Sequence, residues 1–541
     1  MSDDHKTDLQ EKPTSLVPRQ QDDSESLRSE MYTQAKREGV KPAFLAKVHL
    51  INEAIAETGM GRYQWELFFT SGFGWMADNL WLQSIAIVMP AVANEFKPYP
   101  YVRLSTLALY AGMIVGATFW GMSCDVIGRR LAFNSTLFLS AIFGIAVGAS
   151  PDYVTFNVLI ALLGFAAGGN LPVDGTMFLE FIPGSKQYLL TFLSVWWAIG
   201  QAVGSLISWG FLANYGCQTP AAGTFCSKES NMGWRYTYYT LGAFILFLWV
   251  VRFFVFPVHE SPKFLASIGR DDEAVEVIHK VAKRNGITIN LTADDLRRAA
   301  APYLSKEETA AIADADQSTK MTTLELIKHS FSQWSFVHIT ALFSTPRLAY
   351  SSSLIIFCYA ALGLGYPLFN GFLGGYLATK NASLGVMDLD ATYAAYTYQA
   401  ACGIPGSLAA ALLVNWSRGG RKFAMAFFTV VSGVVLFGLT QSKTTIQVNA
   451  LISIASFFQN AFYGCLYGYA PEVFPAPHRG TGDALVSAAS RITGIFAPVI
   501  AVYSPAANSP EAPVFAAASI FVVTGLVMLL LPIETYGKTA I

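Results

Sequence analysis

Twelve stretches of this sequence are long enough and apolar enough to cross a lipid bilayer, and that property limits the fold more than any other. A crossing helix needs about 20 predominantly apolar residues. Inside hydrocarbon, only a helix or a closed barrel satisfies its own backbone amides. Candidate spans lie near 65–93, 104–122, 131–149, 154–178, 187–213, 236–256, 350–378, 392–414, 423–441, 447–470, 481–503 and 513–532. Charged residues make up 13% of the chain, against roughly 25% in a soluble domain. The chain therefore reads as an all-α membrane protein. A net charge of −1 offers no footprint for nucleic acid. No metal-spaced His/Cys cluster, Walker loop or GxSxG elbow occurs, so neither an enzyme nor a resident cofactor is expected.

The spans divide the chain. Residues 1–62 read as a cytosolic tail whose polar, acidic start is unlike a cleavable signal peptide. The tail holds one short amphipathic stretch, KPAFLAKVHLINEAI. Residues 63–257 hold six spans and 346–541 hold six more. Between them, 258–345 regains charge, as in SPKFLASIGRDDEAVEVIHKVAKRNG. There Phe264, Leu265 and Ile268, then Val275, Ile278 and Ala282, fall at helical spacing and predict amphipathic helices against the membrane face. The tail and central segment are rich in Lys and Arg, which places both in the cytosol. Cys217 and Cys226 share one polar loop on the opposite, oxidising side, where they are expected to form a disulfide. The sequon at Asn381 faces the same side and could carry a glycan.

The chain also repeats itself. Gly128-Arg129-Arg130 follows the second span, and Gly420-Arg421-Lys422 follows the eighth, an offset of 420 − 128 = 292. Glu180 follows the fourth span and Glu472 the tenth, again 292 apart. HESPKFL after the sixth span and PIETYGK after the twelfth each set an acid before Ser or Thr. Two unrelated patterns with one offset indicate parallel six-helix repeats, hence two pseudo-symmetric six-helix bundles.

The loop GMSCDVIGRR resembles the signature between helices two and three of the major facilitator superfamily, through Gly121, Asp125, Gly128, Arg129 and Arg130. PEVFPAPHRG, with Glu472, Pro475, Arg479 and Gly480, and HESPKFL are similar to its sugar-porter branch. GGNLPVDGTMFLEFIPG looks more like fungal members near synaptic-vesicle-glycoprotein-like and organic-ion transporters. The seventh span lacks the paired glutamines of sugar porters, so hexose is not the expected cargo. The resemblance implies a solute carrier working by alternating access. It also implies a cytosolic latch: Asp125 accepting hydrogen bonds at a neighbouring helix N-terminus, Arg129 and Arg130 pairing with acids such as Glu180, and Arg421, Glu472 and Arg479 forming a similar relay. Plain positive-inside anchoring is the alternative reading of these basic residues.

Polar residues inside the spans are the candidate site. Asp78 lies thirteen residues past Trp65, about 20 Å along a helix and hence mid-bilayer. An acid costs about 3 kcal/mol there and is normally turned to a polar cavity. Asp78 is thus the first candidate for proton coupling or substrate binding, with a structural interhelix pair as the alternative. Asn170 and Asp174 share one helical face beside Gly168, Gly169 and Pro172 and could bind a polar solute, or merely mark a kink or a gate. Arg491 sits deep in the eleventh span and needs an anion: substrate, Asp78, or another packing partner. Asn460, Tyr463 and Tyr467 form one stripe, Tyr366 and Asn370 another, and Gln201 follows two tryptophans; each could line a cavity or only pack.

Together these readings predict a proton-coupled symporter for a small polar, anionic solute, with substrate, protons and the bilayer as partners and a single chain as the working unit. An organic-cation carrier, a sugar carrier and a solute sensor that moves nothing are the rivals. The plasma membrane is the expected location, with the vacuolar membrane as the competitor.

Overall fold

A computed structural model describes residues 31–35, 41–96, 105–217, 226–256, 258–304, 339–340, 342–383, 389–414, 420–474, 479–503 and 511–535. All regular structure among them is helical. The N-terminal half is built from α2 (Arg62–Glu95), α3 (Ser105–Ile127), α4 (Arg129–Gly148), α5 (Tyr153–Ala167) continuing as α6 (Asn170–Phe181), α7 (Ser194–Tyr215) and α8 (Gly233–Val250). The C-terminal half is built from α12 (Pro346–Ser383), α13 (Leu389–Val414), α14 (Gly420–Thr440), α15 (Thr445–Val473), α16 (Arg479–Gly494) continuing as α17 (Phe496–Tyr503), and α18 (Ala512–Met528). At the end of the bundle where α2 begins stand α1 (Pro42–Thr58), α9 (Pro262–Ser267), α10 (Asp271–Arg284) and α11 (Ala293–Ala300). Pro475 of the PEVFPAPHRG motif lies outside the described residues.

Among the described residues, ten helices are long and apolar enough to cross a membrane. The remaining two predicted spans differ for physical reasons. Helix α18 has only 17 residues. Helix α15 is long enough, but Gln459, Asn460 and Tyr463 dilute its apolar character. The span predicted over 154–178 breaks at Gly168 and Gly169, and the one over 481–503 breaks at Ile495. Large apolar side chains such as Phe247, Leu412 and Val434 point outward, where acyl chains replace water.

Small residues set how closely the helices approach. A Cβ on Gly112 or Gly116 would lie 2.0 Å from a carbonyl oxygen of α5, Ala161 or Phe165 respectively, so the GxxxG of α3 packs backbone to backbone. A Cβ on Gly200 of α7 would lie 2.1 Å from the Met76 carbonyl. That contact brings α7 against the middle of α2. The halves meet along α3 with α16 and along α7 with α13.

These short helices form a cap on the N-terminal half. Phe264, Leu265, Val275, Ile278 and Ala282 are buried, but Ile268 is exposed, because α9 ends at Ser267. They pack against α1 as well as beneath the bundle. Lys47 of α1 reaches both oxygens of Asp271 at 2.8 and 2.7 Å. Asn285 accepts from the Tyr63 amide at 3.0 Å and donates to Gln64 at 2.8 Å. It thereby satisfies amides that the start of α2 leaves open. Cys217 and Cys226 are joined as a disulfide, with Cα atoms 6.1 Å apart. Asn381 falls in the last turn of α12.

Candidate substrate site and cytosolic latch

The repeat positions carry the same device twice. Gly128 and Gly420 both have positive φ, 106° and 65°. Each exposes the start of the next helix to an acid from the end of its own half. Glu260 accepts from the Arg129 and Arg130 amides at 2.8 and 3.2 Å. Glu534 accepts from the Arg421 and Lys422 amides at 3.1 and 3.4 Å. A carboxylate at a helix N-terminus satisfies open amides and complements the helix dipole. Arg129 then pairs with Glu180 at 3.0 Å, and Arg421 pairs with Glu472. Arg130 is exposed and turned to solvent.

Asp125 does something its own half does not need. Its Oδ2 accepts from the Thr481 amide at 2.9 Å and from the Thr481 hydroxyl at 3.0 Å. Thr481 lies in the first turn of α16, so the acid of one half caps a helix of the other. Arg129 lies 3.3 Å from the same carboxylate. Arg479 donates to the Pro471 carbonyl at 2.7 Å, tying the starts of α16 and the end of α15 together. Lys263 of α9 is buried beside this cluster. Burial, then the nearby positive charges of Arg479 and Arg129, hold its amine down to about 7.

Deep in the bundle, Asp78 and Arg491 meet. The Asp78 carboxylate lies 3.5 Å from Arg491 Nη2, and the residues are 2% and 8% exposed. Asp78 belongs to α2 and Arg491 to α16, so the pair joins the two halves. Ser487, one turn before Arg491, takes a second guanidinium contact. Asn79 donates to the Trp197 carbonyl at 3.0 Å, which fixes α2 against α7 beside the pair.

Aromatic rings from both halves surround this centre. Trp197 contacts Tyr366, Tyr463 and Tyr467 at centroid distances of 6.2, 5.4 and 5.9 Å. Trp75 contacts Tyr467 at 5.8 Å, and Tyr359 does so at 5.7 Å. The sequence stripes at Tyr366, Tyr463 and Tyr467 therefore converge with Asp78 and Arg491. A small cavity lies between the pair and the Asp125–Thr481 contact, lined by Trp75, Tyr359, Tyr467, Pro471, Asp483 and Ser487 among others.

Other candidates lie elsewhere. Asp174 pairs with Arg252 at 2.6 Å, both fully buried, and faces Gly74, where a Cβ would lie 1.7 Å from its Oδ2. Arg252 also donates to the Thr70 and Phe133 carbonyls and stacks on the Phe133 ring at 3.6 Å. Gln201 is the exception: it donates to Gln83 at 3.4 Å and also bonds Tyr366 of the central aromatic cluster. Asn370 donates to the Tyr366 carbonyl and accepts from Gln399. Asn460 donates to the Ser456 carbonyl and packs on Gly403 of α13. Asn170 is buried, and neither polar atom of its side chain meets a partner among the described residues.

Sequence reasoning missed Arg252, Thr481, Asp483 and the aromatic lining from Trp75, Trp197 and Tyr359. Two signals were available. Arg252 is a charge in the apolar run 236–256, and Asp483 stands at i−8 from Arg491 with Ser487 between, one face of a helix.

The Major Facilitator Superfamily profile matches residues 67–498. The chain belongs to this family. The MFS siderochrome iron transporter 1 of Ceriporiopsis subvermispora is 41% identical over 96% of this chain and 97% of its own length. The niacin transporter NiaP of Acinetobacter baylyi is 24% identical over 89% of this chain and 96% of its own. The proton:xylose symporter XylE superposes with a TM-score of 0.65 at 15% identity, covering 88% of this chain and 98% of XylE. This major facilitator protein is thus a multi-pass integral membrane transporter.

Proposed function

We propose that this transporter is a proton-coupled symporter of a small organic anion, with Asp78 as the proton acceptor and Arg491 as the anion-binding group. The ion pair between them carries the reading. In that pair the two groups satisfy each other, so an incoming carboxylate must compete with Asp78 for Arg491. Protonating Asp78 removes the competitor. Proton and anion then bind with positive coupling, and the coupling is reciprocal. A planar solute also suits the surrounding rings, since stacked aromatic faces favour a flat partner. A ring carboxylate such as niacin, the compound named for the NiaP relative, meets both demands. The two halves would rock about this centre, closing at the cytosol through Asp125 and Thr481. The plasma membrane is the proposed location, with the vacuolar membrane as the competitor.

The test is uptake of radiolabelled nicotinate by purified protein in lipid vesicles. An inward proton gradient should drive accumulation, a protonophore should abolish it, and Asp78→Asn should lose the gradient dependence. Competition by tetraethylammonium but not benzoate would favour a cation carrier instead. The 41% identity to the siderochrome iron transporter supports a second reading, so a parallel arm offers a ferric siderochrome. Uptake of that complex in place of nicotinate would favour it.

A further inference from the structure

Asp483 has no part in the scheme so far, yet it is 7% exposed and lines the central cavity. It stands on the face of α16 that also carries Ser487 and Arg491, at four-residue steps. Eight residues of helix separate Asp483 from Arg491, about 12 Å. Ser487 lies halfway, in contact with Arg491 and also lining the cavity. Across the cavity stand Trp75, one turn below Asp78, and Tyr467, whose hydroxyl lies within electrostatic range of both Asp78 and Arg491. The cavity thus begins one helical turn from each member of the ion pair, at Trp75 and Ser487, and reaches Asp483.

The cytosolic end of that line is a door. Ala484 packs on Gly121 of α3, where a Cβ would lie 2.4 Å from its own Cβ. Two residues from Asp483, Thr481 holds Asp125 of α3. The contacts that shut the cytosolic face therefore shield Asp483, and parting the halves there exposes it. The charged and titratable groups around it are Arg479 on its own helix, Asp125 and Cys124 of α3, and Tyr359 of α12; Thr176 of α6 adds a hydroxyl. Asp483 makes no ion pair among the described residues, and Arg479 Nε is spent on the Pro471 carbonyl. An acid that lines a cavity, makes no direct ion pair among the described residues and stands one contact from the cytosol is placed to hand on a proton.

We infer that Asp483 carries the coupling proton from Asp78 to the cytosol, an inference that rests on the proton-coupled reading above. The O–H bond of protonated Asp78 breaks, and its proton passes through water admitted to the cavity. An O–H bond forms on Asp483. Asp78 regains its charge and pairs again with Arg491, which expels the carried anion. When α3 and α16 part, the proton leaves Asp483 for cytosolic water. No electrons move.

The experiment uses the full chain in vesicles, with nicotinate as the probe. It compares accumulation driven by a proton gradient with nicotinate exchange at equal pH, which needs no net proton transfer. Asp483→Asn should lower gradient-driven accumulation at least about a hundredfold, the low end for loss of a proton-transfer group, with exchange reduced less than about threefold. Asp483→Glu should restore accumulation. Wild-type accumulation in Asp483→Asn would overturn the inference, and so would equal loss of accumulation and exchange in a monodisperse preparation. Asp483→Ser is read by the same criteria where the Asn variant fails to fold, and misfolding of both would make the residue structural and overturn the inference as well. Failure of the wild type to accumulate nicotinate with the gradient would sink the proton-coupled reading itself. That result is distinct because it appears before any substitution.

Discussion

The contact between Asp125 and Thr481 gives a direct handle on the cytosolic face. Thr481→Val removes the hydroxyl bond at 3.0 Å and leaves the amide bond at 2.9 Å. A hydrogen bond to an ionised acceptor contributes about 1.5–3 kcal/mol net. At the low end, losing one shifts the closed-to-open ratio about tenfold, since 1.4 kcal/mol is one decade. Asp125→Ala removes both bonds, about 3 kcal/mol, and should shift the ratio about a hundredfold. The chain supplies its own reporter. Cys124 is fully buried at this seam, and a Cβ on Gly480 would lie 2.6 Å from its sulfur. With Cys358, Cys402 and Cys465 replaced by alanine, the rate of N-ethylmaleimide labelling at Cys124 follows the fraction open. Thr481→Val should label about ten times faster than wild type, and Thr481→Ser, which keeps the hydroxyl, at the wild-type rate. Thr481→Val also leaves the charge beside the thiol untouched, so the change reads opening and not thiol chemistry. Equal labelling of Thr481→Val and wild type would refute the claim that this contact holds the face shut.

Three further outcomes are expected. Asp174→Ala leaves Arg252 buried without its anion and should cost about 3–5 kcal/mol in thermal unfolding, with the nicotinate KM unchanged; a changed KM at unchanged stability would return Asp174 to the binding site. Gly128→Ala should destabilise more than Gly420→Ala in the same assay, because φ of 106° suits only glycine while φ of 65° lies near a region other residues reach. The Lys263 amine is held down to about 7, far below an unfolded lysine. Below that pH both states bind the proton and the burial penalty is felt in full. As pH rises from about 7 toward 10, the folded protein has already lost a proton that the unfolded chain still holds, so stability rises. Lys263→Met should flatten that rise in a thermal-shift series, and an unchanged slope would contradict the assignment.

Much of the fold was legible because the bilayer reduces the choice to helices of a known length, and because one 292-residue offset repeats. Asp125 as a cap on a neighbouring helix was also readable, since an acid inside a basic loop is not needed for topology. The partner, Thr481, was not readable: a threonine in a first turn has no distinctive signature until the other half is docked on it. Asp78 and Arg491 were found by the cost of burying charge, which is a local argument. Asp174 passed the same test, yet its cation, Arg252, lies 78 residues on, just past the end of α8, and sequence spacing says nothing of that approach. Asn460 shows the limit of stripes. A helix in a bundle has several buried faces, and periodicity alone does not say which one borders the centre.

The central claim is that Asp78 and the anion compete for Arg491, so that proton and anion bind with positive coupling, and calorimetry of nicotinate binding across pH tests it most directly. In the wild type, each anion bound should take up one proton, read from buffers of different ionisation enthalpy. Affinity should then rise about tenfold for each pH unit lowered wherever Asp78 begins ionised. In Asp78→Asn, affinity should not vary with pH and no proton should be taken up. A wild-type affinity that ignores pH, or a proton still taken up by Asp78→Asn, would contradict the account.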